Sequence, residues 1–170
     1  MHNEIAGARV RTVHWDDPLS GVEQGRTLSG LDYLRLIATG QLPAPPIAKT
    51  LGFALASVDH GRAVFEMDAA EYHYNPIASV HGGVICTLLD SAMGCAVHST
   101  LEAGYGYATL ELKVNFLRAV TVTSGHLRCE GAVLHSGNRV ALADARLVDA
   151  SGTLHAHGTS TCMIFAPRAG

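Results

Sequence analysis

The sequence predicts an α+β fold: a curved antiparallel sheet wrapped around one long central helix, with an N-terminal helical extension. Three observations carry this expectation. Residues 81–101 place apolar side chains in nearly every direction around a helix, so that helix belongs in a core. Strand signals come twice before it and four times after it, the later ones alternating apolar and polar residues. A single buried helix cannot be covered by a flat sheet, so the sheet has to curl.

The elements follow in order. Residues 1–27 lack clear periodicity and read as an arm that is flexible or packs on a partner subunit. Ser29 to Thr39 predicts a short helix. Ser29 caps it, Asp32 stands in for the capping-box acid, Leu31, Leu34 and Ile37 form its stripe, and Gly40 stops it. Leu42 to Pro46 holds three prolines and reads as an extended linker. This divides the chain into an arm, 1–46, and a main domain, 47–166. Leu51 to Val58 and Ala63 to Asp68 are strands around the turn Asp59-His60-Gly61-Arg62. Glu71 to Val80 is a loop with the turn signal Asn75-Pro76, and the central helix runs from His81 to Leu101. Thr109 to Leu117 points Thr109, Glu111, Lys113 and Asn115 to one face, and Leu110, Leu112, Val114 and Phe116 to the other. His126 to His135 and Arg139 to Asp149 form a hairpin over Ser136-Gly137-Asn138, and Thr153 to Phe165 is the last strand. This order of elements is a hotdog arrangement.

Composition narrows the function. Of 170 residues, 48% are hydrophobic and 16% charged, enough to bury a core and a subunit interface. The net charge of −3 and the lack of a basic, aromatic-interleaved run argue against nucleic acid as a partner. Asp90 interrupts the best apolar stretch, which argues against a membrane span. Glu4, Arg9, Arg11, Asp16 and Asp17 do not suit a secretory signal. Cys86, Cys95, Cys129 and Cys162 sit in apolar surroundings without a Cys-x-x-Cys pair and read as buried free thiols. Together these predict a cytoplasmic protein.

Asp90 is the residue that most needs an explanation. An ionised carboxylate in an apolar helix is costly unless paired or used. Gly82 and Gly83 bare backbone N–H groups at the positive end of the same helix, a site for developing negative charge. A carboxylate and an N–H donor are the minimum equipment for cleaving an ester or thioester. Gly83 and Asp90 share nearly one helix face but lie about 10 Å apart along the axis. One small carbonyl cannot touch both. Either they act separately, or each works with its complement on a neighbouring subunit in a two-fold dimer.

Blander readings stand beside this one. Asp90 could pair with Lys113 or an Arg; the two glycines could serve close packing; Asn75 could simply form an Asx turn. His81 is better placed to fix its loop than to act as a base. His155 and His157 share a strand face, yet no nearby Cys or carboxylate completes a metal site, so no metal is expected. Ser91 lacks the Gly-x-Ser-x-Gly setting of a hydrolase elbow. Arg118 and Arg139 are either solvated strand-end charges or a phosphate clamp, Arg139 being favoured because it adjoins the Ser136-Gly137-Asn138 loop.

Asn75-Pro-Ile-Ala-Ser-Val-His81-Gly82-Gly83 followed by Thr87-Leu-Leu-Asp90 resembles the signature of hotdog-fold acyl-CoA thioesterases of the phenylacetyl-CoA, PaaI-like branch. Thr109-Leu-Glu-Leu-Lys-Val-Asn-Phe-Leu-Arg118 and Ser136-Gly-Asn-Arg139 extend the resemblance over about residues 45–165. It implies that Asp90 is the acid, as nucleophile or general base. Gly82, supported by Gly83, polarises the carbonyl; Asn75 orients water or carbonyl; Thr109 assists the water. His81, Glu111, Phe116, Arg118, Ser136, Gly137, Asn138 and Arg139 are the candidate substrate-binding positions. The resemblance also implies dimers or dimers of dimers with sites at the interface, acyl-CoA as substrate, and no cofactor. A related branch uses Glu as the acid with Thr one turn later. Here the pair is Asp90 and Gly94, so that branch is a poor guide. A hotdog enoyl-CoA hydratase and a non-catalytic acyl-CoA binding or sensing module are the alternatives.

Overall fold

A computed structural model describes residues 7–167 of the chain, so Glu4 and the first residues of the arm lie outside the described residues. Three short helices lead in: α1 (Pro18–Gly25), α2 (Gly30–Ala38) and α3 (Pro46–Leu51). The hairpin β1 (Phe53–Asp59) and β2 (Arg62–Asp68) follows, then the long helix α4 (Gly82–His98). Four strands complete the chain: β3 (Gly106–Phe116), β4 (His126–Ser136), β5 (Val140–Asp149) and β6 (Leu154–Phe165). They form one six-stranded antiparallel sheet in the order β1-β2-β4-β5-β6-β3. The sheet curls around α4, which touches every strand.

The core lies between α4 and the inner face of the sheet. Leu88, Leu89, Ala92, Met93, Ala96 and Val97 are fully buried against Leu127, Cys129, Leu147 and Ala156. Removing that surface from water stabilises the fold by about 25 cal/mol per Å². Gly131 in β4 sets how closely helix and sheet approach, because a Cβ there would collide with the Ala92 backbone. No described helix is long and apolar enough to cross a membrane.

The hotdog expectation holds, with five local corrections. The arm is not featureless: Asp17 Oδ1 accepts from the Leu19 N–H at 2.9 Å and Pro18 takes the first turn, so α1 forms where periodicity is weak. The prolines do not stay extended either. Pro46 opens α3, which ends at left-handed Gly52 (φ 74°), and the first strand starts at Phe53 rather than Leu51. The central helix stops at His98 rather than Leu101, because Ser99 turns its hydroxyl back onto the Ala96 carbonyl at 2.7 Å. That helix is also not buried all round: Thr87, Asp90, Ser91 and Cys95 are only half-buried, and Gly83 is exposed.

The fifth correction changes the site. Thr109 pairs with Cys162 but Glu111 pairs with Thr161, so Leu110 is an extra residue in β3. The bulge turns Leu110 outward, where it is 56% exposed, beside Glu111. Thr109 turns inward, toward the helix and on the same face as Leu112 and Val114. The predicted grouping of Thr109 with Glu111, Lys113 and Asn115 is therefore wrong, and so is that of Leu110 with Leu112.

Candidate active site

One cluster forms at the N-terminus of α4. His81 is the N-cap, and its Nδ1 accepts the Gly83 N–H at 2.9 Å. Gly83 is thus occupied, whereas the Gly82 N–H enters no hydrogen bond among the described residues. The loop leading in is held by Asn75. Its Oδ1 accepts from the Ile77 and Ser79 N–H groups at 3.0 and 3.2 Å, and its Nδ2 donates to the Ser79 hydroxyl at 3.0 Å. This Asx turn carries Ala78 at φ 60°. It leaves one Asn75 amide hydrogen uncommitted. Phe116 closes the other side, its ring 3.2 Å from where a Gly82 Cβ would stand. Asn75, Gly82, Phe116 and Arg118 line one pocket of about 270 Å³. The Arg118 guanidinium donates to the Leu154 carbonyl at 3.3 Å, while the Leu117 and Arg118 N–H groups bond the His155 carbonyl.

A second cluster sits two turns along α4. The Thr109 hydroxyl donates to Asp90 Oδ1 at 2.9 Å. The bulge in β3 makes this contact possible. Oδ2 enters no hydrogen bond among the described residues and is left to act on a water or carbonyl. The surroundings are poor in counter-charge. Burial, helped by the Asp90 charge, raises the thiol pKa of Cys86 and pushes that of Cys95 up to about 12. The Tyr107 phenol is raised for the same two reasons, together with the nearby Cys95 and Cys162. These groups stay neutral, and among the described residues Asp90 enters no ion pair, with Lys113 or any other cation.

The remaining candidates are not brought together with either cluster. Glu111 is exposed on the outer face of β3. Ser136, Gly137 and Asn138 line a hollow with Thr100, Glu102 and Tyr105, beyond the C-terminal end of α4. Arg139 adjoins that loop, exposed, its side chain in no hydrogen bond or ion pair among the described residues. Sequence reasoning missed Ser79, whose hydroxyl and N–H complete the Asn75 turn, and Tyr107, which packs along α4 beyond Asp90. The Asn-Pro-x-x-Ser spacing could have signalled the first; the second needed the bulge. His155, weighed as a metal ligand and set aside for want of a nearby carboxylate, does have one: its Nε2 pairs with Asp149 Oδ2 at 3.0 Å.

Within one chain, then, Gly82 and Asp90 lie about 12 Å apart along the axis of the same helix. Strand β3 lies at the edge of the sheet with one side of its ladder unpaired. Residues 78–156 match the thioesterase superfamily. A protein of Saccharolobus solfataricus is 33% identical over 113 residues, spanning 66% of this chain and 79% of that one. Human acyl-coenzyme A thioesterase 13 is 27% identical over 130 residues, 75% of this chain and 91% of that one. The crystal structure of a phenylacetic acid degradation-related protein from Ralstonia eutropha JMP134 superposes with a TM-score of 0.70. It is 32% identical, covering 77% of this chain and 98% of that one. The fold, the motif spacing and these likenesses agree: the chain belongs to the thioesterase superfamily.

Proposed function

We propose that this protein hydrolyses acyl-CoA thioesters to a free acid and coenzyme A, at sites each shared by two copies of the chain. The observation that carries it is the pairing of two incomplete half-sites on one helix: a free N–H at Gly82 and a Thr109-oriented carboxylate at Asp90. In a two-fold dimer joined along the open edge of β3, antiparallel α4 helices set the Gly82 end of one copy against Asp90 of the other. The relationship to human acyl-coenzyme A thioesterase 13 supports the substrate class.

The chemistry follows from the groups. The thioester carbonyl oxygen accepts the Gly82 N–H at the positive end of the helix, where charge develops as the carbonyl carbon becomes tetrahedral. Asp90 takes a proton from water while the resulting hydroxide adds to that carbon. Collapse breaks the C–S bond, and the departing thiolate recovers the proton from Asp90. Direct attack by Asp90 would give a mixed anhydride that water then opens. Asn75 lines the Gly82 pocket, and its uncommitted amide hydrogen is available to the carbonyl or the water. Arg118 beside the Gly82 pocket and Arg139 beside the Ser136–Asn138 loop supply cations for the coenzyme A phosphates. No step calls for a metal or prosthetic group. The hydratase alternative needs a histidine beside the acid, whereas the side-chain partner of Asp90 is Thr109.

Continuous assay of free thiol released from a panel of aryl, short and long acyl-CoAs tests the reading. Multiple turnovers on at least one member are expected. Tight binding without thiol release across the panel would leave a binding module instead.

A further inference from the structure

Between the N-terminal helices and the far half of α4 lies a second cavity of about 340 Å³. Val22 of α1 with Leu34 and Ile37 of α2 form one wall, and Cys95, His98 and Tyr107 form the other. The first wall lies outside residues 78–156, the part matched by the superfamily.

The cavity adjoins Asp90. Gly94 stands one helical turn beyond Asp90 on the same face. The Tyr107 ring lies over it so closely that a Cβ at Gly94 would collide with the phenol oxygen. Tyr107 precedes Thr109 by two residues on the inner face of β3. The Asp90 charge is felt at both Cys95 and Tyr107, two lining residues of the cavity. Gly94, Cys95 and the Tyr107 ring thus stand between the carboxylate and the space under α1 and α2. Asp16 and Asp17, just ahead of α1, also line the cavity; the rest of its lining is apolar or neutral. Burial lowers the pKa of His98, keeping the ring neutral, and its Nδ1 has no hydrogen-bond partner among the described residues.

We propose that the N-terminal helices are the acyl-recognition element of this enzyme: with the thioester carbonyl at Asp90, the distal apolar end of the acyl group occupies the cavity between α1, α2 and α4. The proposal rests on the thioesterase reading and adds what selects the substrate. At roughly 30 Å³ per water-sized group, the space accepts about ten non-hydrogen atoms of the acyl tail.

The test is a kcat/KM profile on straight-chain acyl-CoAs from acetyl to tetradecanoyl, for wild type, Val22→Trp and Ile37→Ala. Val22 is 48% exposed on α1, so the larger side chain does not burden the core. Wild type should favour intermediate chains. Val22→Trp should lower the decanoyl-to-acetyl ratio on the order of tenfold and move the optimum to shorter chains. Ile37→Ala should move it to longer ones. Because the readout is a ratio within each variant, a loss of folded protein does not imitate it. Ratios that stay at the wild-type value in both variants, with wild type active, would overturn the cavity assignment alone. Absence of turnover by wild type on every member would overturn the thioesterase reading and this one with it.

Discussion

The two ends of the α4 half-site pair are built by opposite strategies. At Gly82 the chain withholds side chains and offers backbone. His81 caps the neighbouring amide, Asn75 locks the loop, and what remains is one N–H facing a 270 Å³ pocket. At Asp90 the chain offers a side chain and tunes it with a single hydroxyl from a bulged strand. The groups that orient the Gly82 N–H are local, within residues 75–83, while the segment Phe116–Val120 closes the pocket from the far side. The second end is long-range, joining residues 19 apart through β3. It should tolerate changes in the loop.

The largest effect belongs to the carboxylate. Asp90→Asn keeps the shape and removes the basicity, and kcat should fall on the order of 10²–10⁴-fold with the circular dichroism spectrum intact. Activity within a few-fold of wild type would remove Asp90 from the mechanism.

At the other end, Gly82→Pro removes the N–H but also sets a Cβ 3.2 Å from the Phe116 ring, so Gly82→Ala, which adds the same Cβ and keeps the N–H, is its control. Proline suits the first position of a helix, and His81 already has the extended backbone (φ −60°, ψ 135°) that a following proline requires. A loss on the order of 10²–10³-fold is expected, as for a removed oxyanion donor. Mixing this variant with Asp90→Asn should then restore about a quarter of the sites, since half the random dimers are mixed and one site in each has both groups intact. No recovery after verified subunit exchange would place both groups in one chain's site.

Thr109→Val is the gentler probe of the second end. It leaves the charge but frees its orientation, and about a tenfold loss in kcat is expected. An unchanged kcat would reduce the hydroxyl to a packing role.

The smallest effect concerns the floor of the Gly82 pocket. Hydrogen bonds from Ser151 and then His155 hold the Asp149 carboxyl well below the usual carboxylate range. A depressed folded value contributes stability that is present above the ordinary value of about 3.9 and fades as the pH falls below it. The His155 carbonyl anchors Leu117 and Arg118, so acid should loosen the Gly82 end before the Asp90 end. The melting temperature should fall as the pH is lowered below about 4, and Asp149→Asn should flatten that fall. Equal slopes for the two proteins would separate Asp149 from acid stability.

Most of the fold was legible because its signals are local and redundant. The alternation of β4, β5 and β6, the apolar girth of α4 and the Ser29 cap each specify one element without help from the rest. The Gly82 end was legible for the same reason, since His81-Gly82-Gly83 and Asn75-Pro76 are contiguous. What escaped was non-local. Nothing in the alternation of residues 109–116 announces the bulge, because Leu110 continues the apolar pattern it interrupts. The early end of α4 and the half-open Thr87, Asp90 and Ser91 stripe depend on which strands happen to lie opposite. The α1 wall of the second cavity is built from a segment whose own periodicity is too weak to signal a helix.

The extra residue in β3 also decides what kinds of genetic change this site can survive. Upstream of Leu110 the inward positions are odd-numbered, as at Tyr107 and Thr109; downstream they are even-numbered, as at Leu112 and Val114. Replacing Leu110 alters a side chain standing half in solvent, and most replacements should pass unnoticed. Deleting its codon instead forces the two halves of the strand into one phase. Either the hydroxyl leaves the carboxylate, or the apolar residues leave the core. The position most permissive to point mutation is thereby among the least permissive to a change in length, and homologous sites should vary here in residue but not in spacing.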